Sequence, residues 1–136
     1  MASGTYTLLI ELPTPTTIEV GALGERALSP GWYAYTGSAL GPGGFARVDR
    51  HREVATGERD VRHWHIDYLL GHPATVLDRA VTTPVDAECA IARTLPGERI
   101  PAFGASDCDC ESHLVSHEDR DVLSAGIEAA HREHEC

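Results

Sequence analysis

Lysine is absent from this sequence: all eleven basic residues are arginine, set against 21 aspartates and glutamates, for a formal net charge of -10. A missing lysine together with an acid excess suggests a proteome adapted to strong salt, where the acid serves solubility. At molar salt the Debye length is only about 3 Å, so net repulsion no longer governs the encounter with a polyanion and direct contacts decide it. A GC-rich genome that favours arginine codons explains the missing lysine but not the acid. The start, MASGTYTLLIEL, has no basic segment and no long apolar run, and no stretch approaches a membrane span. The expectation is a soluble, cytoplasmic protein that does not engage a membrane. Cysteine occurs only at 89, 108, 110 and 136, which is no paired framework for a chain without an export signal, so reduced thiols or a metal site are expected instead of bridges. There is no internal repeat and no low-complexity tract.

What is present is sized for one domain: 136 residues bury roughly two-thirds of their unfolded surface without covalent staples. Its charge is unevenly placed. Ser106 to Cys136 holds nine acids and two arginines, whereas Arg47 to Arg62 holds five arginines and four acids. The least repulsive surface therefore surrounds GWYAYTGSALGPGGFARVDRHR, Gly31 to Arg52, where an aromatic strand and a glycine-rich turn lead into Arg47, Arg50, His51 and Arg52.

Strands are expected at Thr5 to Leu12, Thr17 to Val20, Trp32 to Thr36 and Thr75 to Thr82, from β-branched and apolar runs closed by proline or glycine. Phe45 to Thr56 reads as a helix with Phe45, Val48 and Ala55 on one face and Arg47, His51 and Val54 on another, which makes Arg47 and His51 neighbours on one surface. Val61 to Leu70 reads as a short helix holding HWHIDYLL. Thr83, Pro84 and Asp86 supply an N-cap, an N1 proline and a first-turn acid for a helix to about Leu95, with Val85, Cys89, Ala92 and Leu95 as its apolar stripe and Glu88 at the edge. HLVS is a short extended piece. Glu118 to about His134 forms an amphipathic helix with Val122, Leu123, Ile127 and Ala130 inward. The expected architecture is α/β, a small and mainly antiparallel sheet flanked by helices. Residues 1–117 carry the domain, and 118–136 form a C-terminal helix and tail packed on it.

Gly4-Thr5-Tyr6 and Tyr35-Thr36-Gly37 resemble the two signatures that name the GIY-YIG nuclease superfamily. Together with RVDRH, HWHIDYL, EC and FGASDCDCESHL, they make the chain from Gly4 to about Val115 similar to a small branch of that superfamily, found alone or fused to endonuclease III-like glycosylases. The resemblance implies a metal-dependent endonuclease acting on nucleic acid, DNA above all, in repair or processing, with a repair protein as a partner. It carries over an arginine and a histidine one helical turn apart, Arg47 and His51, and a metal-binding glutamate on a later helix, Glu88. Two departures stand out. The signature isoleucines are Thr5 and Thr36, and the interval from Tyr6 to Tyr35 is long enough for an extra hairpin that could reshape or cover the site.

The chemistry also follows from the residue types. Hydrolysing a phosphodiester needs a cation over the non-bridging oxygens and a group that orients or deprotonates water. Magnesium, or manganese in its place, binds through one or two carboxylates and keeps several waters, so Glu88 suffices as protein ligand if substrate completes the shell. Arg47 offers a planar fork to phosphate oxygens. Tyr6 or Tyr35 as base would need nearby cations, since an ordinary tyrosine holds its proton to about pH 10; His51 is the simpler alternative. Gly37, Ser38, Arg50 and His65 complete the list as substrate-binding candidates. His63 and His65 diverge on a helix, which disfavours joint metal ligation. Cys108, Cys110 and His113 give C-x-C-x-x-H, three zinc-ligand types in one loop, but structural zinc sites usually show two separated ligand pairs, so a reduced turn is preferred. Two other functions fit the same residues: a catalytically silent module binding nucleic acid or protein, and a hydrolase of a small phosphoester or nucleotide, which suits the acidic surface better than long duplex DNA does.

Overall fold

A computed structural model describes residues 4–19, 24–39, 44–57, 65–72, 74–100 and 113–133. Its frame is a five-stranded sheet in the order β5-β1-β4-β7-β6, every neighbouring pair antiparallel. The strands are β1 (Gly4–Leu12), β4 (Gly31–Ala39), β5 (Val76–Thr83), β6 (Glu98–Arg99) and β7 (Leu114–His117), and β2 (Thr16–Glu19) with β3 (Glu25–Leu28) forms a separate two-stranded hairpin. The helices are α1 (Ala46–Thr56), α2 (His65–Leu70), α3 (Glu88–Thr94) and α4 (Arg120–Glu133). The expected α/β class holds.

Alternation along β1 sorts its side chains between two cores. Tyr6, Leu8, Ile10 and Leu12 join Tyr33 and Tyr35 of β4 against Val48, Val54, Ile66, Leu69 and Leu70 of α1 and α2. Leu9 and Ala34 point the other way, into Ile91, Leu95, Leu123, Ile127 and Ala130. Helices therefore cover both faces, which is why β1 is buried along nearly its whole length. The hairpin joins the sheet at the Leu12–Gly31 end of the β1–β4 ladder, roughly 20 Å from Tyr6 and Gly37 at about 3.4 Å per residue. Its Ile18 and Leu28 extend the first core.

Several expectations change. β4 runs on to Ala39, through Gly37, because the whole of it pairs with β1. The helix expected from Pro84 starts at Glu88. Thr83 is the last residue of β5 and not an N-cap; its hydroxyl is drawn to His131, while the Thr5 hydroxyl donates to the Val85 carbonyl (2.7 Å) and accepts from the Ala87 N–H (2.9 Å). Ile91, which the expected stripe omitted, is fully buried. In α4 the Asp119 carboxylate caps the N–H groups of Asp121 and Val122 at 2.9 and 3.2 Å. The buried stripe there is Leu123, Ile127, Ala130 and His131, and Val122, expected inward, is 46% exposed because it lies one residue, about 100°, off that stripe. Residues 61–64 of the expected second helix, and Val20, lie outside the described residues.

Candidate functional site

The two tripeptides meet through register. Antiparallel pairing sets Tyr6 opposite Gly37 and Leu8 opposite Tyr35. A Cβ at position 37 would land on the Tyr6 phenol, so glycine here makes room for the ring. Tyr6 and Tyr35 lie on one face with ring centroids 6.5 Å apart.

α1 brings the next groups down onto that face. Its buried residues are Val48, His51 and Val54. His51 thus belongs to the inward face, not to a surface shared with Arg47, and it is completely buried. His51 Nε2 lies 2.7 Å from the Tyr6 hydroxyl, and the two rings are 5.3 Å apart. Arg47 sits at the edge of this face and donates to the Ser38 carbonyl at 2.6 Å. Arg50, read from sequence as a substrate contact, has both terminal nitrogens on Asp67 of α2, each at 3.0 Å.

Burial dominates the proton affinities. It pushes the Tyr6 and Tyr35 phenols well above their ordinary value, with the Glu88 and Asp67 carboxylates adding to the rise and Arg47 opposing it. Burial likewise lowers His51 to about 4, against the pull of Asp67 and with the help of Arg50 and Arg47. At neutral pH the pair is phenol and neutral imidazole. Arg47 and Asp67 act on all three groups, and Glu88 acts on both tyrosines, so residues from β1, β4, α1, α2 and α3 form one electrostatic cluster.

Glu88, at the start of α3, is 24% exposed at its side chain and lies 3.7 Å from Nδ1 of the buried His113. The His113 carbonyl accepts from the Thr36 N–H at 3.0 Å, which carries the β4–β7 ladder one step past the Tyr35–Leu114 pair. Burial depresses His113 below the usual imidazole range. A half-open carboxylate fits a magnesium ion that keeps most of its waters. Among the described residues no group of three or more histidines, cysteines, aspartates or glutamates is placed to hold a metal. Cys108 and Cys110 lie outside the described residues, as does the side chain of His65, which opens α2.

The family model for DUF123, a domain of unknown function, matches residues 5–136. The chain belongs to the DUF123 family. No curated protein and no solved structure matches it. The DUF123 match spans Thr5 and Tyr6 of the first tripeptide, all of the second, the α1 cluster and α4. None of the described helices is long and apolar enough to cross a membrane.

Behind the sheet the DUF123 domain holds a second polar cluster that sequence reasoning missed. Thr7 Oγ1 lies 3.0 Å from Thr36 Oγ1 and 2.8 Å from His131 Nε2, and Thr83 Oγ1 lies 2.8 Å from His131 Nδ1. Thr36, which the sequence showed only as a departure from the signature isoleucine, is thus a hydrogen-bonding member of the site's rear wall. Asp67 was missed as well, although an acid between Ile66 and Leu69 in an apolar run is a signal that a buried partner is required. A surface hollow of about 480 Å³ lies beside Tyr33, Glu98, His117 and Glu118 and includes no arginine, which makes it unsuited to a phosphate.

Proposed function

We propose that this DUF123 domain is a metal-dependent endonuclease that hydrolyses nucleic-acid phosphodiesters, DNA above all, in the manner of the GIY-YIG superfamily it resembles. The observation that carries the reading is the 2.7 Å approach of the Tyr6 hydroxyl to a buried, neutral His51 beside Arg47. In this mechanism Arg47 takes a phosphate oxygen through its fork. Water gives a proton to the Tyr6 oxygen as Tyr6 gives its own to His51 Nε2, so no free phenolate forms in the dry pocket; the water oxygen bonds to phosphorus as the P–O bond to the leaving sugar oxygen breaks, and that oxygen takes a proton from solvent. The arriving phosphate charge raises the affinity of His51 for that proton. A divalent metal, when bound, supplies charge stabilisation over the non-bridging oxygens, and Glu88 is the residue that would hold it. The acidic surface, with its net charge of -10, also favours a small phosphoester or nucleotide as substrate.

The test is a screen of labelled duplex, single-stranded, flap and branched substrates and of free nucleotides, with magnesium or manganese, at molar salt. Cleavage by the parent should fall by roughly 100-fold or more in Glu88→Gln with binding retained, whereas Arg47→Ala should weaken both. A parent that binds nucleic acid but cuts nothing, with binding lost in Arg47→Ala, replaces the enzyme with a silent binding module.

A further inference from the structure

Asp67, within HWHIDYLL, takes no direct part in the proton transfer from water through Tyr6 to His51. Its side chain is fully buried, yet it is an acid on a helix that packs Ile66, Leu69 and Leu70 into the core. Burying a carboxylate is costly unless charge and hydrogen bonds compensate. Arg50 provides both, one terminal nitrogen to each oxygen at 3.0 Å. That fork does more than neutralise: it fixes the plane and position of the carboxylate. Held there, Oδ1 lies 4.0 Å from Nδ1 of His51, beyond hydrogen-bond length but close enough to act electrostatically, while the opposite ring nitrogen, Nε2, is hydrogen-bonded to the Tyr6 hydroxyl at 2.7 Å.

A neutral imidazole carries one N–H, and which nitrogen bears it is set by what each faces. With the proton on Nδ1, the positive end of the N–H lies on the side of the ring nearer a carboxylate charge, and the Nε2 lone pair accepts from the Tyr6 hydroxyl. With the proton on Nε2, a lone pair would face the carboxylate oxygen, and Tyr6 would become the acceptor of the His51 N–H. In that second arrangement His51 has no site for the Tyr6 proton. We infer that Asp67, locked by Arg50, is a positioning residue that holds His51 in the Nδ1–H tautomer and so orients the Tyr6 proton toward Nε2. The inference rests on the reading of Tyr6 and His51 as the proton-accepting pair. It assigns the Arg50–Asp67 pair a role beyond tying α1 to α2, since a purely structural tie would leave the tautomer to Tyr6.

The experiment is long-range ¹H–¹⁵N NMR of the histidine ring in the uniformly labelled chain at neutral pH, with His51→Gln used to assign the His51 signals. The Nδ1–H pattern is expected in the parent and in Tyr6→Phe, which removes the hydroxyl but leaves Asp67. In Asp67→Asn that pattern should become mixed or reverse, and on any substrate the parent cuts kcat should fall by roughly 100- to 10,000-fold with KM nearly unchanged. An Nε2–H parent, a tautomer lost in Tyr6→Phe, or an Asp67→Asn spectrum identical to the parent overturns the inference. If Asp67→Asn does not fold, the parent and Tyr6→Phe spectra decide it. If the parent cuts nothing, the hydrolase reading falls while the tautomer measurements still decide whether Asp67 sets His51.

Discussion

Gly37 sits directly across the β1–β4 ladder from Tyr6, and the phenol occupies the volume that any side chain at position 37 would need. The tyrosine of one tripeptide is therefore seated by the glycine of the other. Gly37→Ala should push the ring off His51 and cost about 1–3 kcal/mol through overpacking. Thermal unfolding should show a Tm lower by several degrees, and cleavage should fall further than stability alone accounts for, because the Tyr6–His51 contact is lost. An alanine variant with unchanged Tm and activity would show that the ring has room to move.

The threonines behind the sheet should behave as a coupled set. Thr7→Val leaves a buried His131 nitrogen facing a methyl group, with an expected cost of about 1–3 kcal/mol. His131→Leu should cost a comparable amount, but Thr7→Val combined with His131→Leu should cost clearly less than the sum, since no polar atom on that bond then remains unsatisfied. Urea unfolding of the four chains measures the coupling, and additive losses would remove Thr7–His131 as a significant bond.

Acid should destabilise the fold through His51. Burial holds its folded value at about 4 against an ordinary 6.5, so the unfolded chain binds the proton more readily throughout that window. The contribution is fully present above about 6.5 and is lost as the pH falls through the window to about 4; it amounts to about 3 kcal/mol. His113, depressed in the same direction, adds to the loss. Stability measured against pH should fall less steeply in His51→Gln than in the parent, and parallel curves would assign the acid sensitivity to other groups.

Salt should act in the opposite sense to its usual effect on ion pairs. The exposed bridges, Arg79–Glu128 and Arg120–Asp78, are worth little and weaken with screening. Repulsion among 21 acids against eleven arginines is relieved at the same time, as the Debye length shrinks from about 30 Å at 0.01 M to about 3 Å at 1 M. Tm should rise with potassium chloride toward molar concentration. A flat or falling trend would remove the argument from the missing lysine.

The fold was legible wherever one physical signal acted alone. β1 follows from a β-branched and apolar run closed by proline, α1 from helical spacing and β7 from the short extended piece HLVS, and the observed bounds lie within a residue or two of the expected ones. Thr83 misled because a threonine before Pro-x-Asp is a good cap in isolation, and only the folded chain brings His131 to its hydroxyl. His51 looked like a surface group because helical spacing gives neighbours but not the direction of the core. Arg50 looked like a phosphate contact because its partner, Asp67, is seventeen positions away on another helix. Tyr6, Tyr35 and Gly37 are brought together by β-register, and His51 is brought to Tyr6 by the inward face of α1; pairwise geometry of that kind is not written in local sequence.

The hydrogen bond between Thr7 and His131 spans 124 positions, and it changes what the last helix means for how this chain acquires its shape. Chain closure over that distance is slow, because the entropy of bringing the two ends together is lost before the contact returns anything. During synthesis β1 and β4 can pair as soon as both are made, but the rear of the sheet, with Leu9 and Ala34, is covered only in part, by Ile91 and Leu95, until α4 emerges to bring Leu123 and Ile127 over it. A ribosome-stalled chain lacking α4 would therefore expose an apolar sheet face beside an assembled tyrosine pair, and would be both adhesive and unable to hold Thr36 in place. The final residues of the helix act as the latch that converts a paired sheet into a finished domain.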